Sequence, residues 1–110
     1  MLKATELENC PIVAAIRELG SEWNLIIIRY LMSRPMGFNE LLKTASGISS
    51  KTLSSNLKSL TNKGIVNRRI VSTQPFTVSY SLTEKGLDLA ETMDALGDWG
   101  RKWIARGYLS

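Results

Sequence analysis

The sequence predicts a mainly helical α+β fold in which a helix at about residues 50–62 is followed by two short strands. In the helix, Leu53, Leu57 and Leu60 recur at spacings of four and three, which places them on one buried face. Gly64 is the residue type preferred just past a helix end. Beyond it, residues 65–71 and 77–82 carry β-branched side chains, which alternate with polar ones in the second segment. These observations predict a helix, a glycine stop and a β-hairpin.

Three helices are predicted before this segment. Pro11 suits the first position of a helix that runs to residue 19. Residues 22–33 are apolar nearly all round, so this helix is predicted to form the centre of the core. Residues 38–45 carry apolar side chains at helical spacing, and a Ser-Gly turn links them to the helix at 50–62.

A helix-turn-helix followed by a two-stranded hairpin is the winged-helix arrangement. The second helix of such a fold enters the major groove of DNA, and the hairpin, or wing, lies along the backbone or minor groove. The hairpin tip is predicted at residues 72–76, around Gln74-Pro75. The alternative is a small helical protein whose polar helix is merely solvated.

The outer face of the helix at 50–62 favours a polyanionic partner. Lys51, Ser55, Lys58 and Asn62 point away from the leucines, and this face contains no carboxylate, whereas a solvated face usually mixes Glu with Lys. Ser49 is the predicted N-cap, so the positive end of the helix dipole would favour a phosphate nearby.

Positive charge is concentrated in one part of the chain. Residues 29–71 hold eight lysines and arginines against the single Glu40, a net charge of +7, while the rest of the chain carries −3. Such a distribution is the electrostatic footprint of a nucleic-acid-binding segment. The predicted partner is double-stranded DNA.

Individual roles follow from position along the helix. Lys51 and Lys58 are predicted to contact phosphates or base edges, the alternative being two solvated lysines. The first half of the helix is where base edges are reached, and Asn62 at the far end meets backbone or water. Ser54 has the alternative of supporting the turn. The candidate DNA-binding residues are Ser50, Lys51, Thr52, Ser54, Ser55, Lys58, Asn62, Arg68 and Arg69.

Arg68 and Arg69 are adjacent on a predicted strand, so their side chains point to opposite faces. At most one of them therefore faces DNA directly from the wing. The other is predicted to pair with an acid such as Glu84.

From Thr83, a predicted N-cap, one long helix is expected over about residues 84–105. Its apolar stripe is larger than one small domain would cover, which predicts a homodimer formed with help from the N-terminal helix. The alternative is that the two tryptophans close the core of their own chain. The predicted interface residues are Leu87, Ala90, Met93, Leu96, Trp99 and Trp103.

Composition argues against several other classes. The chain has one cysteine, Cys10, and no histidine, which argues against an internal disulfide and a structural zinc site. It has no phosphate-binding glycine motif and no recognisable catalytic cluster, so neither an enzyme nor a cofactor is predicted. Residues 1–9 do not resemble a signal peptide, and no apolar run approaches the ~20 residues of a membrane span. A single cytoplasmic domain over residues 1–110 is expected.

Nearly the whole chain, from Cys10 to about Trp99, resembles the HxlR-type regulators, which are small bacterial and archaeal winged-helix transcription factors related to the MarR group. The order and spacing of several short segments carry the resemblance. They are Cys10-Pro11, Gly20-x-x-Trp23, Phe38-Asn39-Glu40-Leu41, Gly47-Ile48-Ser49-x-Lys51-x-Leu53, Leu57 to Leu60, Lys63-Gly64-Ile65-Val66 and Tyr80-Ser81-Leu82-Thr83-x-x-Gly86.

The resemblance implies a dimer built from terminal helices, a recognition helix at about residues 50–62 and a wing around residues 72–77. It also implies sequence-specific binding to a near-palindromic operator, as repressor or activator. Ser50 and Ser55 stand where family members often have longer amide side chains, and Thr77 stands where they often have an arginine. Serine discriminates between bases less sharply than glutamine or arginine, so specificity is expected to rest partly on DNA shape or water.

Some HxlR-type proteins use an N-terminal cysteine to sense electrophiles or oxidants, which makes Cys10 a candidate redox sensor. A helix N-terminus beside a thiol favours its thiolate form. The alternative role for a lone cysteine is that of a small buried side chain.

Two alternatives to a site-specific regulator remain open. One is a sequence-nonspecific DNA-coating protein, which the serines would suit. The other is a winged helix that serves as a protein-interaction module, because the fold alone does not establish DNA binding. The charge concentrated at residues 29–71 argues against the second alternative.

Overall fold

The structure, a computed structural model, describes residues 9–104. Over this range the chain forms six helices and a two-stranded antiparallel sheet, which confirms the predicted mainly helical α+β fold. None of the helices in these residues is long and apolar enough to cross a membrane. In chain order the elements are α1 (Pro11–Leu19), α2 (Glu22–Leu31), α3 (Phe38–Thr44), α4 (Ser50–Asn62), β1 (Val66–Thr73), β2 (Phe76–Leu82), α5 (Glu84–Leu87) and α6 (Ala90–Trp103).

Helix α4 begins and ends through local capping, as its sequence predicts. The Ser49 hydroxyl accepts a hydrogen bond from the Thr52 N–H at 3.1 Å, which satisfies one of the free donors of the first turn. At the other end Gly64 adopts a φ of +74°. The Ile65 N–H then donates to the Leu60 carbonyl at 3.0 Å and the Gly64 N–H to the Thr61 carbonyl at 3.1 Å. These two bonds form a Schellman motif, which requires a residue that tolerates positive φ.

The hydrophobic core is centred on α2 and the inner face of α4. Ile27, Ile28 and Leu31 of α2 are buried, as the apolar character of this helix predicts. Leu53, Leu57 and Leu60 of α4 are buried against them. Because all three leucines of α4 face inward, the polar side chains of that helix are left on its outer surface.

The hairpin is longer and its tip is shorter than the sequence predicts. The register runs from Val66 opposite Leu82 to Thr73 opposite Phe76, which leaves only Gln74 and Pro75 in the turn. An irregularity between Ile70 and Ser72 leaves Val71 without a partner in this register. An isolated bridge joins Met36 to Tyr80 on the other side of β2, through bonds of 3.0 and 2.8 Å.

Two helices replace the single long helix expected after Thr83. The Thr83 hydroxyl accepts from the Gly86 N–H at 3.3 Å, which confirms the predicted N-cap, and its one proton lies within donating distance of the Gly64 and Ile65 carbonyls, at 2.5 and 3.1 Å. The first turn is therefore fixed to the start of β1. The Leu89 N–H then bonds to the Gly86 carbonyl at 3.1 Å, three residues back, which interrupts the α-helical hydrogen bonding before α6 begins. The expected end near residue 105 lies outside the described residues.

Candidate nucleic-acid interface

The outer face of α4 is a continuous polar surface. Of the residues predicted to bind DNA from this helix, all except Thr52 are exposed; they are Ser50, Lys51, Ser54, Ser55, Lys58 and Asn62. Helix α4 carries no acidic residue. The surface therefore presents hydroxyl, amide and ammonium groups with no negative charge among them.

Thr52 lies at the edge of this surface and is half-buried. Its side-chain oxygen accepts a hydrogen bond from the Ser49 hydroxyl at 2.9 Å, while its N–H donates to Ser49. These bonds fix the position of the first turn of α4. The structure thus gives Thr52 a role in holding the helix start.

A groove of about 250 Å³ lies between α4 and the hairpin. Arg68 of β1 reaches this groove, together with three of the predicted residues of α4, whereas Arg69 is absent from its lining, as expected for neighbours on one strand. Among the residues that the structure describes, no acidic side chain lines it. The full lining is Ser54, Leu57, Lys58, Thr61, Asn62, Arg68 and Tyr80.

The predicted ion pair between an arginine of β1 and Glu84 is not formed among residues 9–104. The register places Arg69 opposite Ser79, five residues before Glu84. A strand rises about 3.3 Å per residue, so this offset puts the two side chains out of reach of each other.

Most of the positive charge at residues 29–71 has no partner. Arg34 pairs with Glu40, and its hydrogen bond to that carboxylate lowers the pKa of Glu40. Lys63 donates to the Glu18 carbonyl at 2.7 Å. The side chains of the other six form no hydrogen bond or ion pair in the described part of the chain; they are Arg29, Lys43, Lys51, Lys58, Arg68 and Arg69.

The tip of the hairpin is uncharged and partly apolar. No lysine or arginine occurs between Arg69 and Lys85, and Ile70, Val71 and Phe76 are exposed. The cations of the hairpin therefore lie near its base, beside α4. Electrostatic attraction to a polyanion is correspondingly strongest at the base of the wing.

Cys10 is half-buried at the N-cap of α1, and its thiol forms no capping hydrogen bond. The opposite end of α1 is joined to the end of α4 and the start of α5. Lys85 donates to the Glu18 carboxylate at 2.7 Å and to the Lys63 carbonyl at 2.8 Å. The same ammonium group lowers the pKa of Glu18. We call the contacts among Glu18, Lys63 and Lys85 the α1–α4 link.

The terminal helices expose a large apolar surface. Of the six predicted interface residues, Leu87, Leu96, Trp99 and Trp103 are each more than half exposed. Ala90 and Met93 are half-buried, and Met93 packs against the core of its own chain. Ile12 and Ile16 of α1 are also exposed. Among the described residues, Trp99 and Trp103 therefore do not close the core.

Sequence reasoning missed Tyr80 and the α1–α4 link. Tyr80 belongs to the alternating apolar side of β2, which indicated only a core position, yet it also lines the groove beside Arg68. Its place opposite Arg68 depends on the hairpin register. Within residues 9–104 no group of three or more His, Cys, Asp or Glu side chains could hold a metal ion.

Comparison with known proteins supports the same architecture. Residues 18–108 match the model of a family described as HxlR-like helix-turn-helix. A transcriptional regulator from Methanothermobacter thermautotrophicus is 30% identical over 94 residues, covering 86% of this chain and 72% of the relative. The regulator YodB of Bacillus subtilis is 36% identical over 99 residues, covering 89% and 88% of the two chains.

Solved structures superpose closely on the chain. The reduced form of YodB gives a TM-score of 0.75 at 36% identity, over 90% of this chain and 98% of YodB. The quinone-bound form of YodB gives 0.72 at 36% identity, over 86% and 100%. A MarR-family regulator from Porphyromonas gingivalis gives 0.82 at 30% identity, over 88% and 95%. The chain therefore belongs to the HxlR-like helix-turn-helix family and is a transcriptional regulator of the winged-helix type.

Proposed function

We propose that the protein is a cytoplasmic, sequence-specific regulator that binds double-stranded DNA as a homodimer. Helix α4 enters the major groove, and the hairpin lies on the backbone or minor groove. The observation that carries this proposal is the outer face of α4, which has no carboxylate and adjoins the unpaired Arg68. Binding of phosphates to such a face is favourable, because no ion pair within the face has to be broken first.

Base recognition is assigned to the exposed serines in the first half of α4. Ser50, Ser54 and Ser55 are short donors and acceptors, so direct readout is supplemented by DNA shape or bridging water. Lys51 and Lys58 contact phosphates of the DNA backbone. Asn62, at the far end of α4, meets the backbone.

The homodimer is proposed from the exposed apolar surface of α1 and α6. Monomeric proteins seldom leave such a surface in water, and a two-fold contact would cover it on both copies. Two α4 helices in a symmetric dimer enter successive major grooves when they lie about 34 Å apart. A single domain over residues 1–110 suits this arrangement.

The proposal is tested by selecting bound duplexes from a random pool with the purified protein. The best duplex and a scrambled control are then titrated at two salt concentrations. We expect the selected duplex to be palindromic and to bind with much higher affinity than the scrambled control. Equal, salt-sensitive binding of both duplexes would instead identify a DNA-coating protein, and absence of binding would identify a protein-interaction module.

Lys51→Ala and Lys58→Ala, made singly, are expected to weaken binding to the selected duplex and to its scrambled control alike. Each variant should reduce the slope of log affinity against log salt by about 0.9, because one phosphate contact is lost. Arg17→Ala removes the same charge from α1 and should leave the slope unchanged. Equal slopes for all three variants would show that the α4 lysines do not contact the backbone.

We further propose that Cys10 senses electrophiles or oxidants. Two observations support this role: the thiol lies at the start of α1, and the α1–α4 link joins the other end of that helix to α4. Modification that displaces α1 would thus be transmitted to the DNA-binding helix. YodB has been solved with a bound quinone, and a quinone is therefore the reagent chosen for the test.

Treatment with a quinone is expected to release the protein from its selected duplex, while Cys10→Ser should remain bound. Thiol modification is followed by mass in the same samples. Release of both proteins, or retention of a fully modified wild type, would contradict a sensing role. Cys10 would then be a packing residue.

A further inference from the structure

The groove between α4 and the hairpin brings together five polar side chains from three elements. Ser54, Lys58 and Asn62 come from α4, Arg68 from β1 and Tyr80 from β2. None of these five side chains forms a hydrogen bond or ion pair within residues 9–104. The groove therefore contains two cations and three further hydrogen-bonding groups, all of them free to meet a ligand.

This arrangement differs from that of the basic residues that have partners within residues 9–104. Arg34 pairs with Glu40, Lys63 bonds to a backbone carbonyl, and Lys85 pairs with Glu18. In the groove two positive side chains share one concave space with no acid in its lining. A cleft lined by one sign of charge concentrates its field, so it attracts an anion.

Tyr80 is held in place more firmly than a surface tyrosine. Its ring packs against the hydrophobic core, and its backbone bonds to Met36 in both directions. The register sets Arg68 directly opposite Tyr80, so the two side chains share one face of the hairpin. Tyr80 is thus held in position before any ligand arrives, so this side chain loses little conformational entropy on binding.

We propose that the groove binds one phosphodiester of the DNA strand that passes from α4 to the hairpin. Lys58 and Arg68 supply the positive charge, and the Tyr80 hydroxyl donates a hydrogen bond to a phosphate oxygen. A planar guanidinium suits the phosphate geometry, and contacts to phosphate fix the register of the protein on the duplex without reading its sequence. This assignment rests on the proposed function and adds a specific anion site to it.

The test replaces phosphates of the selected duplex by neutral methylphosphonates, one symmetry-related pair at a time, so that both copies of the groove in the dimer lose the same contact. Wild-type protein is expected to lose about tenfold in affinity at one such pair, since a hydrogen-bonded charge contact is removed in each half-site. The Arg68→Gln variant should bind the unmodified duplex about tenfold more weakly than the wild type does. Methylphosphonate at that position should lower the affinity of the variant little further. The two losses should not add, because they remove the same contact.

Tyr80→Phe removes only the hydroxyl and keeps the ring in the core. It is expected to weaken binding to the unmodified duplex about fivefold and to have no effect on the duplex modified at that position. The midpoint temperature of thermal unfolding of this variant should match that of the wild type. Arg69→Gln is the matched control, because it removes the same charge from the next residue, on the other face of the strand. Any effect it has should be equal for the two duplexes.

The outcomes separate this site from the proposed function. Absence of binding to every duplex would overturn both. Specific binding in which Arg68→Gln and Tyr80→Phe weaken modified and unmodified duplexes by equal factors would overturn the phosphate site and leave the regulator intact. Coupling of Arg68 and Tyr80 to one and the same phosphate supports the site.

Discussion

Gly86→Ala is expected to lower the free energy of unfolding by about 1–3 kcal/mol or more, because it overpacks a closed part of the core. A Cβ at this position would lie 2.5 Å from the Ile65 carbonyl oxygen and 3.0 Å from Leu82. That carbonyl already accepts from the Thr83 N–H at 3.0 Å, and the Thr83 hydroxyl lies 3.1 Å from it. It cannot retreat without breaking the contacts that fix α5. The loss is measured by urea unfolding at one fixed protein concentration.

Gly100→Ala in α6 is the matched control. No atom of residues 9–104 lies within 4 Å of the added Cβ, so the substitution should leave stability unchanged or raise it by up to about 1 kcal/mol through helix propensity. Equal stabilities of the Gly86→Ala and Gly100→Ala variants would show that the space around Gly86 is not closed. That result would contradict the close packing of α5 against the start of β1.

The double variant Leu96→Glu, Trp99→Glu is expected to be monomeric and to bind the selected duplex about 10²–10⁴-fold more weakly. Both side chains are 56% exposed, so glutamate at these positions is solvated in a single chain but would be buried between two copies. A monomer contacts only one half-site at a time. Sedimentation gives the mass, and titration of the same sample gives the affinity.

The control keeps these positions apolar. Leu96→Met with Trp99→Phe should retain the dimer mass and most of the affinity, because apolar surface is preserved. If the glutamate variant keeps the mass of a dimer, these residues do not form the interface. If it is monomeric and binds as tightly as wild type, recognition does not require two copies.

Helix α4 shows how much local signals can predict. Its bounds were expected at about residues 50–62, and the structure has Ser50–Asn62. The Ser49 cap, the leucine spacing and the Gly64 stop all act within a few residues, so each is visible in the sequence. The outward direction of Lys51, Ser55 and Lys58 follows from the same periodicity.

The terminal segment shows where local signals fail. The apolar stripe after Thr83 suits one continuous helix, yet the helix is interrupted at residues 88 and 89. The contacts of Thr83 and Gly86 with Ile65, which lies about twenty residues earlier, fix the first of the two helices. No periodicity within the segment carries that information.

The sequence by itself determined the fold class, the family resemblance, the limits of α4 and the placement of positive charge. Tertiary structure decided that Arg68, and not Arg69, shares a groove with Lys58, and that Tyr80 completes its lining. It also decided that Lys63 and Lys85 tie α4 to α1 across 45 and 67 residues of sequence. Helical periodicity and capping act over one or two turns of chain, whereas strand register and helix packing join residues that are remote in sequence.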